Sequence, residues 1–475
     1  RAQPLARGTE LPKEFHTGAV AESGAVASAV DVAIKSWREA GYAKSKVASQ
    51  DVVADHRAAT LSADVTLDPG PRLRFGPLTI EGNKRMRTER IRAITGLPEG
   101  EVYDPAELEA AKSRLRRSGV FSSVTLTEAE RILSPDLLPI TATVIEEKPR
   151  RYTFGAELAS FDGVSLTGGW LHRNLFGGGE RLQISGAITN IGATTSGIDY
   201  ALGLTLSRPA TFTPDTTLTF ETTLAKLDQE DFTADLFGVT LGLSHVFSDN
   251  LSGSAGFGYE YARVTDETGV NLYRNLSLPL ALTWDRRNSK TDATKGFYID
   301  AKLKPFLGFG ITDTGARLAL DLRGYRGFGS EERFVLAARL QAGAILGASL
   351  PGTPRDYLFY SGGGGTVRGQ PYQSLGVNVL KNGPDSFRTG GTQFLAASIE
   401  GRAKITEKIG VVGFFDVGRV DALGFFSDVG DWHAGAGLGL RYATAVGPIR
   451  LDLAMPAGGK TGDGLQIYVG LGQAF

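Results

Sequence analysis

Hydrophobic positions along this chain follow two different rhythms, and the change falls near residue 150. Before it, apolar residues recur every three to four positions in two stretches, the spacing of one helical face. In "SAVDVAIKSWREAGYAKSKV", Val30, Ile34 and Trp37 share that face and Gly41 marks its end. In "DPAELEAAKSRLRRS", residues 104–118, Leu108, Ala111 and Leu115 do the same. Asp104 stands at the cap, Pro105 suits the first helical position, Glu107 completes a capping box and Gly119 ends the helix. Strand-like segments follow each helix: Gln50–Ala54 and Thr60–Leu67 after the first, Val120–Thr127 and Leu138–Glu147 after the second. The two stretches are in step. Gly41 to Gly119 is 78 residues, and Pro71 in "GPRLRFG" to Pro149 in "KPRRYTFG" is again 78. A fixed offset predicts tandem copies of one small α+β fold, although two unrelated α+β domains would also supply a helix and strands apiece. In the second copy a strand and a helix come first ("RLRFGPLTIEGN", "TERIRAITGL"). The equivalent strand of the first copy would fall near or before residue 1, so the chain is expected to start inside its first repeat.

After residue 150 the period changes to two. "TTLTFETTLAKL" sets Leu218, Phe220 and Leu224 against Thr219, Glu221 and Thr223, and "VGPIRLDLAMP" sets Ile449, Leu451, Leu453 and Met455 against Arg450 and Asp452. Side chains on a strand point alternately to opposite faces, so each segment has one apolar and one polar or small face. A soluble sandwich also alternates, but its strands are mostly short. Here the segments run about ten residues or more, with glycine, threonine and charge on the second face, the pattern of a barrel whose apolar face meets lipid. Sixteen candidate strands run from "RYTFGAELAS" to "LQIYVGLGQAF". The fold expected is therefore α+β repeats at 1–72 and 73–149 followed by an all-β, sixteen-stranded antiparallel transmembrane barrel at 150–475.

Composition narrows the function. Glycine supplies 62 of the 475 residues, roughly twice the usual ~7 %, and is concentrated in the second part. The 51 basic and 52 acidic residues nearly cancel, which argues against a nucleic-acid partner held by phosphate neutralisation. No cysteine is present, so no disulfide framework or thiolate metal site is expected. No apolar run approaches the roughly 18 residues of a spanning helix, and a signal peptide, if there is one, lies outside this sequence. There is no Gly-x-Ser-x-Gly elbow, no His-Glu-x-x-His and no Gly-Lys-Ser/Thr phosphate loop, so neither an enzyme nor a cofactor is expected. His16, His56, His172, His245 and His433 are scattered and read as surface or interface residues.

One stretch stands out, "YSGGGGTVRGQPYQSLG" (Tyr360–Gly376), in which a lone arginine follows four glycines. Small α+β repeats followed by a barrel that ends on an aromatic residue resemble the BamA/TamA outer-membrane assembly superfamily. "IEGN", "LRRSGVFSSV" and the strand before Pro149 are similar to the beginning, middle and end of its POTRA repeats. Val367, Arg368 and Gly369 match the family's long-loop motif of a glycine pair followed by Val/Ile-Arg-Gly-aromatic, with Gln370 in place of the aromatic. The resemblance implies that Arg368 folds back into the lumen to meet Glu400 of "AASIEGR" and Asp416 of "VVGFFDVGRV". "WDRRN…KGFYI" is a further match, with Ala293 where proline is common. "HAGAGLGLRYATAVGPIRLDLAMP" and the "GQAF" ending look closest to the TamA branch.

The resemblance implies residence in the bacterial outer membrane with the repeats in the periplasm. It also implies three partners: the lipid bilayer, unfolded outer-membrane clients, and a periplasm-spanning inner-membrane protein like TamB. A two-partner secretion pore and a BamA-type core insertase are the alternatives. Closing the barrel would pair the first strand, near Tyr152–Ser160, with the last, which carries Gly464, Gly470, Gly472 and Phe475. Glycine weakens a strand, so few hydrogen bonds and an inward kink near Gly470 are expected at this seam.

Overall fold

The two periodic stretches become helices α1 (Ser23–Glu39) and α3 (Pro105–Arg117), with the short α2 (Thr88–Thr95) between them. Asp104 caps α3 by accepting from the Ala106 N–H at 2.8 Å, while Glu107 lies 3.9 Å from Arg114. Strands β1 (Lys46–Asp55) and β2 (Thr60–Asp68) form an antiparallel hairpin. In the second repeat β3 (Arg74–Glu81), β4 (Phe121–Glu128) and β5 (Leu137–Glu146) make a sheet of order β3-β5-β4, with β3 parallel and β4 antiparallel to β5. The order α1-β1-β2 thus repeats as α3-β4-β5. Glu39 to Arg117 and Asp68 to Glu146, the corresponding ends, are each 78 residues apart. The computed structural model describes residues 5–20, 22–159, 163–193, 196–380, 386–427, 430–445, 447–462 and 464–475; Ser160, expected in the first barrel strand, lies outside them.

One unit of the chain is formed by the repeats up to Pro149 together with two short connecting segments, 173–180 and 209–215. Its second repeat packs Ile91 and Ile94 of α2 and Leu115 of α3 against Val120 and against Val124 and Val144 of the sheet. The repeats are tied by a polar junction. Arg38 of α1 donates to the Tyr103 hydroxyl and to Glu128 Oε1, each at 2.5 Å, and the Tyr103 hydroxyl donates to the same carboxylate at 2.6 Å.

The other unit is the barrel. Its sheet closes through seventeen hydrogen-bonded segments, two of which are one strand. Gly269–Ser277 and Leu280–Asp285 keep a single register against both neighbours and are parted only by Leu278 and Pro279. Pro279 has no N–H, and Pro305 on the adjoining strand falls beside the gap, so the ladder lacks donors there. The barrel therefore has sixteen antiparallel strands, from Arg150–Ala159 to Gln466–Leu471.

Alternation maps onto its two faces. In Ile449–Gly458, Ile449, Leu451, Leu453 and Met455 are exposed while Asp452 and Ala454 are buried. In Asp431–Tyr442, Leu438, Leu440 and Tyr442 face out and Arg441 faces in. Apolar residues outside and charges inside invert the arrangement of a water-soluble domain, as lipid requires.

The repeat's own folding supplies a prediction. Glu146, at the end of β5, accepts from three successive N–H groups, Lys84 and Arg85 at 2.8 Å and Met86 at 2.9 Å. Burial raises its pKa, but these donors outweigh burial and hold it below the usual carboxylate value. A lowered folded pKa means stability that is complete above the unfolded value of about 4.3 and lost as the pH falls through the folded one. Amide exchange at residues 84–86, corrected for its intrinsic pH dependence, should therefore accelerate on acidification through that window. Glu146→Gln should show the fast exchange at neutral pH as well.

Candidate functional site

The tip of the long loop between Phe334–Leu346 and Gln393–Lys404, the eleventh and twelfth barrel strands, folds into the lumen. Glycine makes its close approach possible at two places. Gly369 has φ +88°, and a Cβ on Gly435 in the fourteenth strand would fall 1.7 Å from the Arg368 carbonyl oxygen. At the tip Val367 is fully buried and Arg368 is 2 % exposed.

Arg368 meets three carboxylates from three strands. Its Nε and Nη2 donate to the two oxygens of Asp416 at 2.8 and 3.0 Å, and its backbone N–H adds a third bond to Asp416 at 3.1 Å. Nη1 donates to Glu400 at 2.7 Å and to Asp452 at 3.3 Å. The guanidinium also lies 3.6 Å from the centroid of the Phe414 ring. The planar fork explains why arginine is required: lysine cannot bond one carboxylate through two nitrogens and still reach two others. Glu400 stands on the twelfth strand, Asp416 on the thirteenth (Ile409–Asp421) and Asp452 on the fifteenth (Ile449–Gly458), so one side chain ties the loop to a broad arc of wall.

The sequence reading named Arg368, Glu400 and Asp416 but not Asp452 or Phe414. Both were detectable, because alternation puts Asp452 on the face of Arg450 and Phe414 on the face of Asp416. Gln370, in the place of the family's aromatic residue, is fully buried and acts through its amide. Its Nε2 donates to the Ala434 and Gly458 carbonyls at 2.7 and 3.1 Å, and its Oε1 accepts from Thr461 at 2.9 Å. Ala434 and Gly458 flank a register shift between the fourteenth and fifteenth strands. A bulge leaves backbone groups short of partners, and the glutamine amide supplies the donors. His433, expected at a surface or interface, is instead buried, with Nε2 2.8 Å from the hydroxyl of loop residue Ser361.

Among the described residues the barrel closes through two residue pairs, Tyr468 with Ala159 and Val469 with Leu158. By contrast, the first strand pairs with the second from Arg150–His172 to Ala159–Gly163. Along Arg150–Glu157 the edge facing the last strand has no strand partner among the described residues. Gly464 (φ +74°) precedes the last strand, Gly470 remains paired with Arg450 inside it, and the turn comes at Gly472, with φ +87°. That is two residues beyond the kink expected near Gly470. Past Gly472 the chain leaves the wall. Gly472 N–H donates to the Pro448 carbonyl at 2.7 Å, and Phe475 is buried against Ala293, Tyr325 and Ala337. Loop and seam touch directly, since the Gly369 N–H donates to the Tyr468 hydroxyl at 3.2 Å.

A closed sixteen-stranded barrel with an outward apolar face, an arginine-locked inner loop and α+β repeats before it defines a transmembrane β-barrel of the POTRA-bearing type. The chain belongs to the Omp85 superfamily, whose domain matches residues 174–475; residues 73–146 match the POTRA surface antigen variable number repeat. It is 22 % identical over 396 residues to the outer membrane protein assembly factor BamA of Nitratidesulfovibrio vulgaris, covering 79 % of this chain and 48 % of that protein. With BamA of Neisseria meningitidis serogroup B it shares 23 % identity over 398 residues, 76 % of this chain and 47 % of that one. The chain thus spans about half the length of these relatives. Among solved structures, Haemophilus ducreyi BamA lacking POTRA domains 1–3 superposes with a TM-score of 0.74 at 19 % identity, covering 96 % of this chain and 95 % of that one. CdiB from Acinetobacter baumannii gives 0.61 at 13 % identity, with 95 % and 82 % covered.

Removing Arg368 would leave Asp416 buried without its counter-ion, a change that costs about 3–5 kcal/mol in an enclosed pair. Arg368→Ala should therefore keep the heat-modifiable gel mobility of a folded barrel, because no ladder bond involves its side chain. Limited proteolysis within 347–392 should become markedly faster. Unchanged cleavage would show that the arginine does not hold the loop.

Proposed function

We propose that this chain is an outer-membrane assembly factor that inserts unfolded β-barrel clients through the junction of its first and last strands. The observation that carries the reading is that, among the described residues, the seam has two pairs and the edge of Arg150–Glu157 beside it has no strand partner. An exposed edge offers a row of N–H and C=O groups that a client strand can pair with. The client would bury its apolar face in lipid as it does so, which supplies the driving force without a nucleotide, a metal or chemistry of the protein's own. Kinship with proteins named as outer membrane assembly factors supports this reading.

The repeats would stand in the periplasm and offer sheet edges to clients. Within the class, the strand motif "HAGAGLGLRYATAVGPIRLDLAMP" and the "GQAF" ending favour the TamA branch, with autotransporter-type clients and a TamB-like inner-membrane partner reaching the repeats or the barrel. A BamA-type core insertase would use the same seam. A two-partner secretion pore, to which the CdiB fold gives some support, would instead conduct its substrate through the lumen.

Cross-linking the seam separates these routes. Leu158 and Val469 are register partners, close enough in an antiparallel pair for a disulfide, and the chain has no native cysteine to compete. The oxidised Leu158→Cys/Val469→Cys barrel should lose client insertion, with activity returning on reduction. A locked barrel that still inserts clients would refute the lateral route, and one that still secretes a substrate would favour the pore.

A further inference from the structure

The tail that turns inward after Gly472 is held by the same carboxylates that hold Arg368. Glu400 divides its oxygens: Oε1 accepts from Arg368 Nη1 at 2.7 Å and Oε2 accepts from Arg402 Nε at 2.8 Å. Arg402 then donates from Nη2 to the Phe475 main-chain oxygen at 3.0 Å, with its guanidinium 5.5 Å from the centroid of the Phe475 ring. Asp452 is shared in the same way. Its Oδ2 accepts from Arg368 Nη1 at 3.3 Å and its Oδ1 from Arg441 Nη1 at 2.5 Å. Arg441 Nε donates to Gln473 Oε1 at 2.7 Å, and Gln473 Nε2 reaches Asp292 at 3.0 Å. Two chains of charge-assisted bonds therefore run from the loop tip to the tail of the last strand. All three arginines and both shared carboxylates are at least nine-tenths buried.

We infer that Arg402 and Arg441 are positioning residues that couple the docking of the 347–392 loop to the inward hold on residues 472–475. The shared carboxylates set the direction of the coupling. Arg368 is one of two donors to Glu400 and one of two to Asp452, the others being Arg402 and Arg441. Withdrawal of Arg368 leaves Glu400 Oε1 and Asp452 Oδ2 without this donor in a poorly solvated site. Arg402 and Arg441 are then drawn towards the vacated oxygens of Glu400 and Asp452 and away from their acceptors on the tail, the Phe475 main-chain oxygen and the Gln473 amide. The tail loosens, and nothing then keeps the last strand off the free edge of Arg150–Glu157. By linkage the effect is reciprocal, and freeing the tail also loosens the loop. Its consequence for clients rests on the assembly function proposed above; the coupling itself does not.

Amide hydrogen exchange of the full chain in lipid nanodiscs, without any client, tests the coupling. Arg368→Ala and Arg402→Gln should each accelerate exchange at residues 466–475. The double variant should fall short of the product of the two effects by at least about threefold, because residues in one buried network are not additive. Gln473→Leu removes a tail acceptor while leaving every charged side chain in the protein, and should accelerate exchange at loop residues 361–370 by about threefold or more. It carries the test if Arg402→Gln does not assemble. Multiplicative effects in the double variant, or loop exchange unmoved by Gln473→Leu, would overturn the inference while leaving the assembly reading untouched. Conversely, a seam-locked barrel that still inserts clients would end that reading without bearing on the coupling.

Discussion

Hydrocarbon offers no hydrogen bonds, so a sheet that crosses a bilayer must pair every strand edge or leave polar groups stranded at several kilocalories per mole each. That constraint orders the whole second unit. It requires closure, it turns the apolar side of each strand outward, and it leaves the glycines, hydroxyls and charges nowhere to go but the lumen. The rule is weakly met at the seam, where the pairs between the last strand and the first, among the described residues, are those of Tyr468 and Val469. The last strand is short because Gly472 turns the chain inward, and its tail finds its hydrogen bonds inside the barrel instead of along the wall.

The lumen in turn makes the arginine lock possible. Three carboxylates projecting from neighbouring strands would repel one another, and a loop that brings a guanidinium among them satisfies all three at once. The loop's glycines matter because the backbone must lie against the wall, with the Arg368 carbonyl where a side chain on Gly435 would otherwise sit. Gln370 fits the same logic. Facing a bulge with backbone carbonyls in need of donors, an amide does what an aromatic ring cannot. Loop, wall and tail are parts of one polar network enclosed by an apolar shell.

Much of this was legible in advance. The period-two alternation named the strands and their outward faces, and the 78-residue offset named the repeats. The arginine motif pointed to Glu400 and Asp416 because all three sit in recognisable local patterns. Asp452 was missed although its alternation placed it on the inner face, because nothing local says which inward carboxylate lies within reach of a loop 84 residues away. His433 was misread for a related reason. A histidine on a strand alternates inward or outward by parity, but its partners, Ser361 and Thr461, come from distant segments.

What the sequence determined by itself was the set of local choices: where helices start and stop, which face of each strand is apolar, where glycine lets the chain turn. These follow from steric and hydrophobic preferences acting over a few residues. Tertiary structure decided how many pairs close the barrel, that the last strand turns at Gly472 and not at Gly470, and that Glu400 and Asp452 each serve two arginines. Those features depend on distances between residues far apart in the chain. Such distances are fixed only when strand register and barrel closure bring the inward side chains of separate strands into the same small volume.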